Sequence, residues 1–341
     1  MKNFITRKML RQAQFGLADI GDEAWWICST CGECVRRCPR GVDIIAVIKA
    51  VRNIMVQADI ITASLRATRA NIAGVNNPYG EAREKRADWA QDFSVKMFTP
   101  GTELLYFSCC VPAYDPVAKD IARATASILK KAGVDFAILG EKESCCGESI
   151  RKAGDEELFQ TLARRNIEAF AEAGVKKVLV SSPHCYHTFK NEYPDFGANF
   201  EVIHFTQFLL QLIEDQRLTF TKELNKRVTY HDPCYLGRHN GIYDEPRQIL
   251  QGIPGLELVE MRNSRENSFC CGGGGGGVWQ ETKKGERLSD LRLEQAIEAG
   301  AEVLAVACPY CMLMFKDSVL TMDKVDAIEV KDVAELVAEA I

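Results

Sequence analysis

The placement of cysteine, more than any bulk property, limits what this chain can be. Fourteen cysteines fall in tight groups: Cys28, Cys31, Cys34 and Cys38; Cys109 and Cys110; Cys145 and Cys146; Cys185; Cys234; Cys270 and Cys271; Cys308 and Cys311. Adjacent and CxxC cysteines are poor partners for a disulfide framework and good thiolate clamps for a metal. The pattern points to a reducing cytoplasm and to metal-bound sulfur.

From residue 103 onward the groups recur. Residues 103–220 and 227–341 read as two copies of one module. Each opens with an apolar strand ending in cysteine, at 104–110 and 228–234. A helix follows, then a second strand at 136–139 or 256–260. Next comes a Cys-Cys-Gly triplet, Cys145-Cys146-Gly147 or Cys270-Cys271-Gly272. A long amphipathic helix (156–173 or 285–299) leads to a third strand (177–181 or 303–307). That strand ends in matching turns, Ser182-Pro183-His184-Cys185 and Cys308-Pro309-Tyr310-Cys311. Cys110 and Cys234 lie 124 residues apart, Cys145 and Cys270 125, Cys185 and Cys311 126. Strands alternating with helices predict parallel α/β packing, with ligands at the carboxyl ends of the strands, where these cysteines fall. The duplication predicts two modules related by a pseudo-twofold axis.

Residues 1–60 form a different unit, small and helical, with an apolar helix over 43–56. Its Cys28-x2-Cys31-x2-Cys34-x3-Cys38-Pro39 is the bacterial ferredoxin run, which holds a [4Fe–4S] cubane; zinc sites favour two separated pairs. In such runs the fourth cysteine serves the other cluster when two are present. Either Cys38 closes its own cluster or a second run comes from elsewhere. Residues 61–102, polar and helix-prone with a break at Asn76-Asn77-Pro78-Tyr79-Gly80, read as a connector.

Composition is that of a globular protein: 47% hydrophobic, 26% charged, net charge −5. A mildly acidic chain gives no electrostatic case for nucleic acid. There is no 18-residue apolar run to span a membrane, and residues 1–10 do not read as a secretory signal.

In each module the thiols come from separate loops, and five in the second exceed what one cubane requires. Adjacent cysteines do not easily reach opposite corners of a cube, so an open or unusual cluster is favoured. The glycine after the pair lets the backbone approach closely. These modules resemble the cysteine-rich (CCG) domains of heterodisulfide reductase catalytic subunits. They resemble equally those of iron–sulfur subunits from sulfite-reduction-linked complexes, glycolate and lactate oxidases and anaerobic glycerol-phosphate dehydrogenase. Residues 7–26, the cysteine run, Asn77-Pro78-Tyr79-Gly80, Lys85-Arg86-Ala87-Asp88-Trp89, Tyr230-His231-Asp232-Pro233-Cys234 and residues 264–272 extend the resemblance over nearly the whole chain. It implies noncubane [4Fe–4S] clusters bound by five cysteines: in the second module Cys234, Cys270, Cys271, Cys308 and Cys311.

Two departures stand out. In the first module Ser182 occupies the start of the CxxC, leaving Cys110, Cys145, Cys146 and Cys185. Three outcomes follow: a cluster on four thiolates, Cys109 swinging in as a fifth ligand, or an empty site. Also, in two-cluster relatives, the stretch matching residues 7–26 follows a first ferredoxin run, and here Met1 falls just after that point.

The resemblance implies an iron–sulfur oxidoreductase that works as one subunit of a complex. Electrons enter at the cubane and reach the second module, where a disulfide or similar two-electron substrate is reduced or formed. Expected partners are a flavoprotein or another iron–sulfur protein, and a membrane cytochrome that would hold the complex at the inner face of the membrane. The alternative is an electron-transfer protein between a flavoprotein dehydrogenase and a membrane quinone-reducing subunit. A third reading is an iron–sulfur sensor without turnover.

Among other residues, His231 and His239 flank Cys234 as proton-donor or structural candidates, since imidazole titrates near neutrality. His184 and His187 flank Cys185. The six glycines at 272–277 lack the Lys-Ser/Thr of a phosphate loop and read as an access point to the cluster. Trp25 and Trp26 read as packing over the cubane or as a docking face. Arg36, Arg37 and Arg40 read as solvated.

Overall fold

The alternation of short apolar strands with amphipathic helices is realised as two parallel sheets. The computed structural model describes residues 4–16, 23–282 and 285–341; the readings at 1–10 and 7–26 lie partly outside them. The first sheet contains β1 (Leu104–Phe107), β2 (Phe136–Ala137), β3 (Lys177–Val180) and β4 (Glu201–His204), in the order β2-β1-β3-β4. The second contains β5 (Arg227–Tyr230), β6 (Glu257–Val259), β7 (Val303–Val306) and β8 (Glu329–Asp332), in the order β6-β5-β7-β8. All pairings are parallel.

Two corrections to the sequence reading follow. Each module has four strands, not three; β4 and β8 are short edge strands whose outer residues are solvated, so the apolar signal of a buried strand is absent. The cysteine-terminated strands are also shorter than expected. β1 stops at Phe107, and Cys110 opens a helix over Cys110–Tyr114.

The order of each sheet places a topological switch between its two central strands, β1 and β3 or β5 and β7, whose carboxyl ends frame a crevice. Phe107 pairs with Val180, and Tyr230 with Ala305. The cysteine loops that follow these strands therefore emerge side by side.

The modules also pack helix against helix. Helix Phe205–Glu214 of the first packs on Glu245–Gly252 of the second, and the last helix, Val333–Ala340, packs on Lys119–Lys131 of the first. One apolar core runs through both, from Leu104 and Leu129 to Val333 and Leu336.

Residues before β1 are helical. Asp43 accepts a hydrogen bond from the Ala46 amide at 3.0 Å and starts helix Ile44–Gln57; Thr62 caps Ala63–Val75. Trp25 and Trp26 are buried with Ile44, Ile48 and Met55, and form core rather than a docking face. Among the described residues no helix is long and apolar enough to cross a membrane.

Candidate metal centres

In the second module three loops converge at the crevice. His231-Asp232-Pro233-Cys234 follows β5, Cys308 follows β7 at the start of helix Pro309–Thr321, and Cys270-Cys271 arrives from beyond β6. The Cys234 and Cys270 sulfurs are 3.9 Å apart, those of Cys271 and Cys311 3.3 Å, and Cys311 also touches Cys308. Gly272 has φ +90°, and its amide donates to Cys270 Sγ at 3.3 Å. Gly147, at φ +84°, does the same toward Cys145 at 3.4 Å. The triplet glycine is thus required for one identical turn in both modules.

Charged groups fix these loops. Asp232 binds Arg247 through both oxygens, at 2.7 and 2.9 Å, and accepts the Arg265 amide at 2.7 Å. Arg292 Nε donates to His231 Nδ1 at 3.3 Å. The ring proton of His231 is therefore on Nε2, a buried atom with no other protein partner among the described residues. The ring lies within ligand reach of Cys271 and Cys311, the three ligand atoms all being within 4.8 Å of one another. Burial and the adjacent Arg292 push this imidazole well below its ordinary pKa. His231 is thus a neutral imidazole beside these sulfurs rather than a group that changes charge near neutrality.

In the first module Cys110 contacts Cys145, Cys146 and Cys185 lie 3.2 Å apart, and Cys185 also touches Cys109. Cys109 has φ 70° and ψ 165°, a region essentially reserved for glycine that costs another residue about 1–3 kcal/mol. The supposed connector is part of this site. Arg86, fully buried, binds Glu143 at 2.8 Å and donates to Cys110 Sγ at 3.4 Å. The Asn76 carbonyl accepts the Cys145 amide at 2.8 Å. Composition gave no sign of this, because a polar 3-10 helix reads alike whether its arginine faces water or a thiol.

The run at residues 28–38 divides. Cys28, Cys31 and Cys34 lie close enough to raise one another's pKa, and burial pushes Cys34 to about 11. Cys38, partly buried like Cys31 and Cys34, has its pKa lowered by the amides of Val42, Arg40 and Gly41. Cys31 also contacts Cys270 of the second module. Arg238 seals this junction, donating to the Cys31 carbonyl at 2.8 Å.

The glycine loop forms the other side of the seam. A Cβ on Gly274 would lie 2.3 Å from the Ser29 carbonyl oxygen, and one on Gly275 2.3 Å from that of Cys28. These glycines seat the run's backbone against the second module. Arg52 crosses the seam with Nε to Trp25 O at 2.9 Å, Nη1 to Lys152 O at 2.8 Å and Gly275 O at 2.9 Å, and Nη2 to Cys28 O at 2.7 Å. His239 joins it too, its Nε2 lying 3.0 Å from the Thr30 carbonyl, which gives it a structural part. Arg36 is not simply solvated, since it donates to Asn267 at 2.8 Å.

One first-module residue reaches into the second site. His184 is buried between the Tyr235 and Tyr310 rings, at 4.2 and 4.5 Å, with Nδ1 3.0 Å from Glu148 Oε1. It is also hydrogen-bonded to Cys308. Burial opposes its charge, but Glu148 and Cys308 prevail and raise its pKa to about 10. Burial likewise opposes the Cys308 thiolate, but Cys311 and His184 bring that thiol down to about 5.

The donor chemistry fits iron–sulfur clusters. All fourteen thiols are free and eleven are buried. They gather sulfur to sulfur beside guanidinium groups, Arg52, Arg86 and Arg238, a setting for soft ligands around an anionic group.

The family of the cysteine-rich domain, CCG, matches residues 104–190 and 228–316. The chain is 38% identical over 332 residues to the probable iron-sulfur-binding oxidoreductase FadF of Bacillus subtilis, covering 94% of this chain and 47% of that protein. It is 36% identical over 337 residues to the EtfAB:quinone oxidoreductase of Syntrophomonas wolfei, covering 94% and 47%. It is also 36% identical over 323 residues to one polypeptide of the dihydromethanophenazine:CoB–CoM heterodisulfide reductase of Methanosarcina barkeri, covering 92% of this chain and 77% of that one. The chain belongs to the family of CCG-domain iron–sulfur oxidoreductases. It spans about half the length of the first two of these relatives. A hypothetical protein from Helicobacter pylori shares the fold, with a TM-score of 0.53 over 97% of this chain and 66% of that one at 9% identity.

Proposed function

We propose that this chain carries electrons between the centre on the run Cys28, Cys31, Cys34 and Cys38 and the centre on Cys234, Cys270, Cys271, Cys308 and Cys311. At the second centre a disulfide, or a similar two-electron substrate, is reduced or formed. A further centre sits on the first module. The contact of Cys31 with Cys270 carries this reading: ligands of the entry centre and of the reactive one touch, with no protein between them. Iron–sulfur clusters on these thiols, a cubane on the run and a noncubane cluster in the second module, supply one-electron carriage; two electrons and two protons convert a disulfide into two thiols.

The protein's own residues do the rest. Gly274 and Gly275 hold the two centres in register, His184 directs an N–H group at Cys308, and neutral His231 stands beside Cys271 and Cys311. A cavity of about 640 Å³ opens between Trp26, Ile27, Gly272, Leu288 and Met314, so a small molecule reaches the backbone next to Cys271. The test is EPR of the anaerobically purified chain after oxidation in the presence of a thiol. A new thiol-dependent signal is expected, and its absence would refute substrate sulfur at this centre.

A second reading makes the chain an electron carrier from a flavoprotein dehydrogenase to a membrane quinone-reducing subunit. The name of the Syntrophomonas wolfei relative, an EtfAB:quinone oxidoreductase, favours it. Rapid reduction by an electron-transfer flavoprotein, together with no thiol-dependent signal, would establish it. Both readings require partners. Size-exclusion chromatography of native lysate is expected to place the protein well above 38.0 kDa, and a monomer turning over efficiently with a soluble donor would count against this.

A further inference from the structure

The first module lacks the cysteine that Cys308 provides in the second; Ser182 stands there instead. The sulfur contacts show what takes its place. In the second module Cys311 touches two sulfurs, Cys271 at 3.3 Å and Cys308. In the first, the corresponding Cys185 also touches two, Cys146 at 3.2 Å and Cys109. Cys109 stands toward Cys185 as Cys308 stands toward Cys311, but it arrives from the end of β1 rather than β3. The residue equivalent to Cys109 in the second module is Pro233, which has no ligand atom to offer.

The backbone supports the same conclusion independently. Cys109 is 3% exposed and sits at φ 70°, ψ 165°, where a side chain is strained and glycine is not. This turn sends the thiols of two consecutive residues to different partners, Cys109 to Cys185 and Cys110 to Cys145. A cysteine held in a glycine conformation, with its sulfur against a cluster ligand, is strain of the kind kept at functional sites.

We infer that Cys109 is the fifth thiolate ligand of the first module's centre, replacing from β1 the thiol that Ser182 lacks. The first module is then a complete five-sulfur site with altered connectivity, not a decayed one. This rests on the reading that the first module holds a cluster.

Cys109→Gly is the decisive variant, because glycine relieves the backbone strain while removing the thiol. The full chain, its C109G variant and its C145A variant are reconstituted anaerobically and compared by iron content and Mössbauer spectrum. C145A is expected to lose one centre, about four irons per chain. C109G is expected to alter the spectrum of that same centre, by loss of iron or by conversion to a four-thiolate species, with thermal stability kept. C145A losing the centre while C109G keeps the wild-type spectrum would overturn the ligand assignment and leave the occupied site standing. C145A losing no iron would overturn both.

Discussion

Replacing Cys271 with alanine is expected to abolish thiol-dependent EPR signals and disulfide reduction, and to lower iron content by about four per chain. The reason lies in its position. Cys271 joins Cys270 on one side and Cys311, 3.3 Å away, on the other, and the amide of Gly273 donates to it at 3.5 Å. Cys270 in turn leads to Cys234 and Cys31. Removing Cys271 parts the Cys308–Cys311 side of the site from the side facing the entry centre. The loss is chemical rather than structural. Cys271 begins no helix, and the Gly272 amide still donates to Cys270. C271A should therefore keep the unfolding midpoint of the parent in its metal-free form, and C145A should keep the thiol-dependent signal. Undiminished disulfide reductase activity in C271A would move the chemistry elsewhere.

Replacing Arg52 with methionine is expected to give the largest loss of stability of any single change at the seam. The side chain is fully buried, and its four hydrogen bonds end on carbonyls of three units: the run, the first module and the glycine loop of the second. Methionine fills similar space but removes all four donated hydrogen bonds. At about 1 kcal/mol for each bond lost the cost is on the order of 4 kcal/mol. Lysine is expected to recover only part of it, because an ammonium lacks the planar fork that reaches carbonyls in several directions. Iron retained by the centre on Cys28, Cys31, Cys34 and Cys38 should fall with stability, since Arg52 also supplies the buried positive charge beside Cys28. Urea unfolding of the three proteins measures this. An R52M midpoint equal to the parent's would show that the seam is held by something else.

What the sequence revealed and what it hid divide along a physical line. Cysteine spacing exposed both modules and their convergence at strand ends, because ligand chemistry fixes residue type and interval together. The amphipathic helix Glu156–Ala173 emerged from its periodicity. The edge strands did not, since residues such as Glu201 and Glu329 face water and carry no buried pattern. Arg52, Arg86 and His184 were hidden for a different reason. Each acts on a group 24 to more than 100 residues away, and only the folded chain shows whether a charged side chain meets solvent or sulfur. Cys109 lay between these cases, visible as a spare thiol and given a direction only by its backbone angles.

The reciprocal packing of helices across the two halves has a consequence for specialisation. Helix Phe205–Glu214 lies on the second half and helix Val333–Ala340 on the first, so each half covers part of its neighbour's apolar surface. That is the contact expected between two like subunits of a dimer, here joined in one chain through residues 215–226. In a dimer of identical copies any substitution stands in both pockets. In a single chain Ser182 stands in one pocket while Cys308 stands in the other, so one pocket can specialise without dismantling its twin.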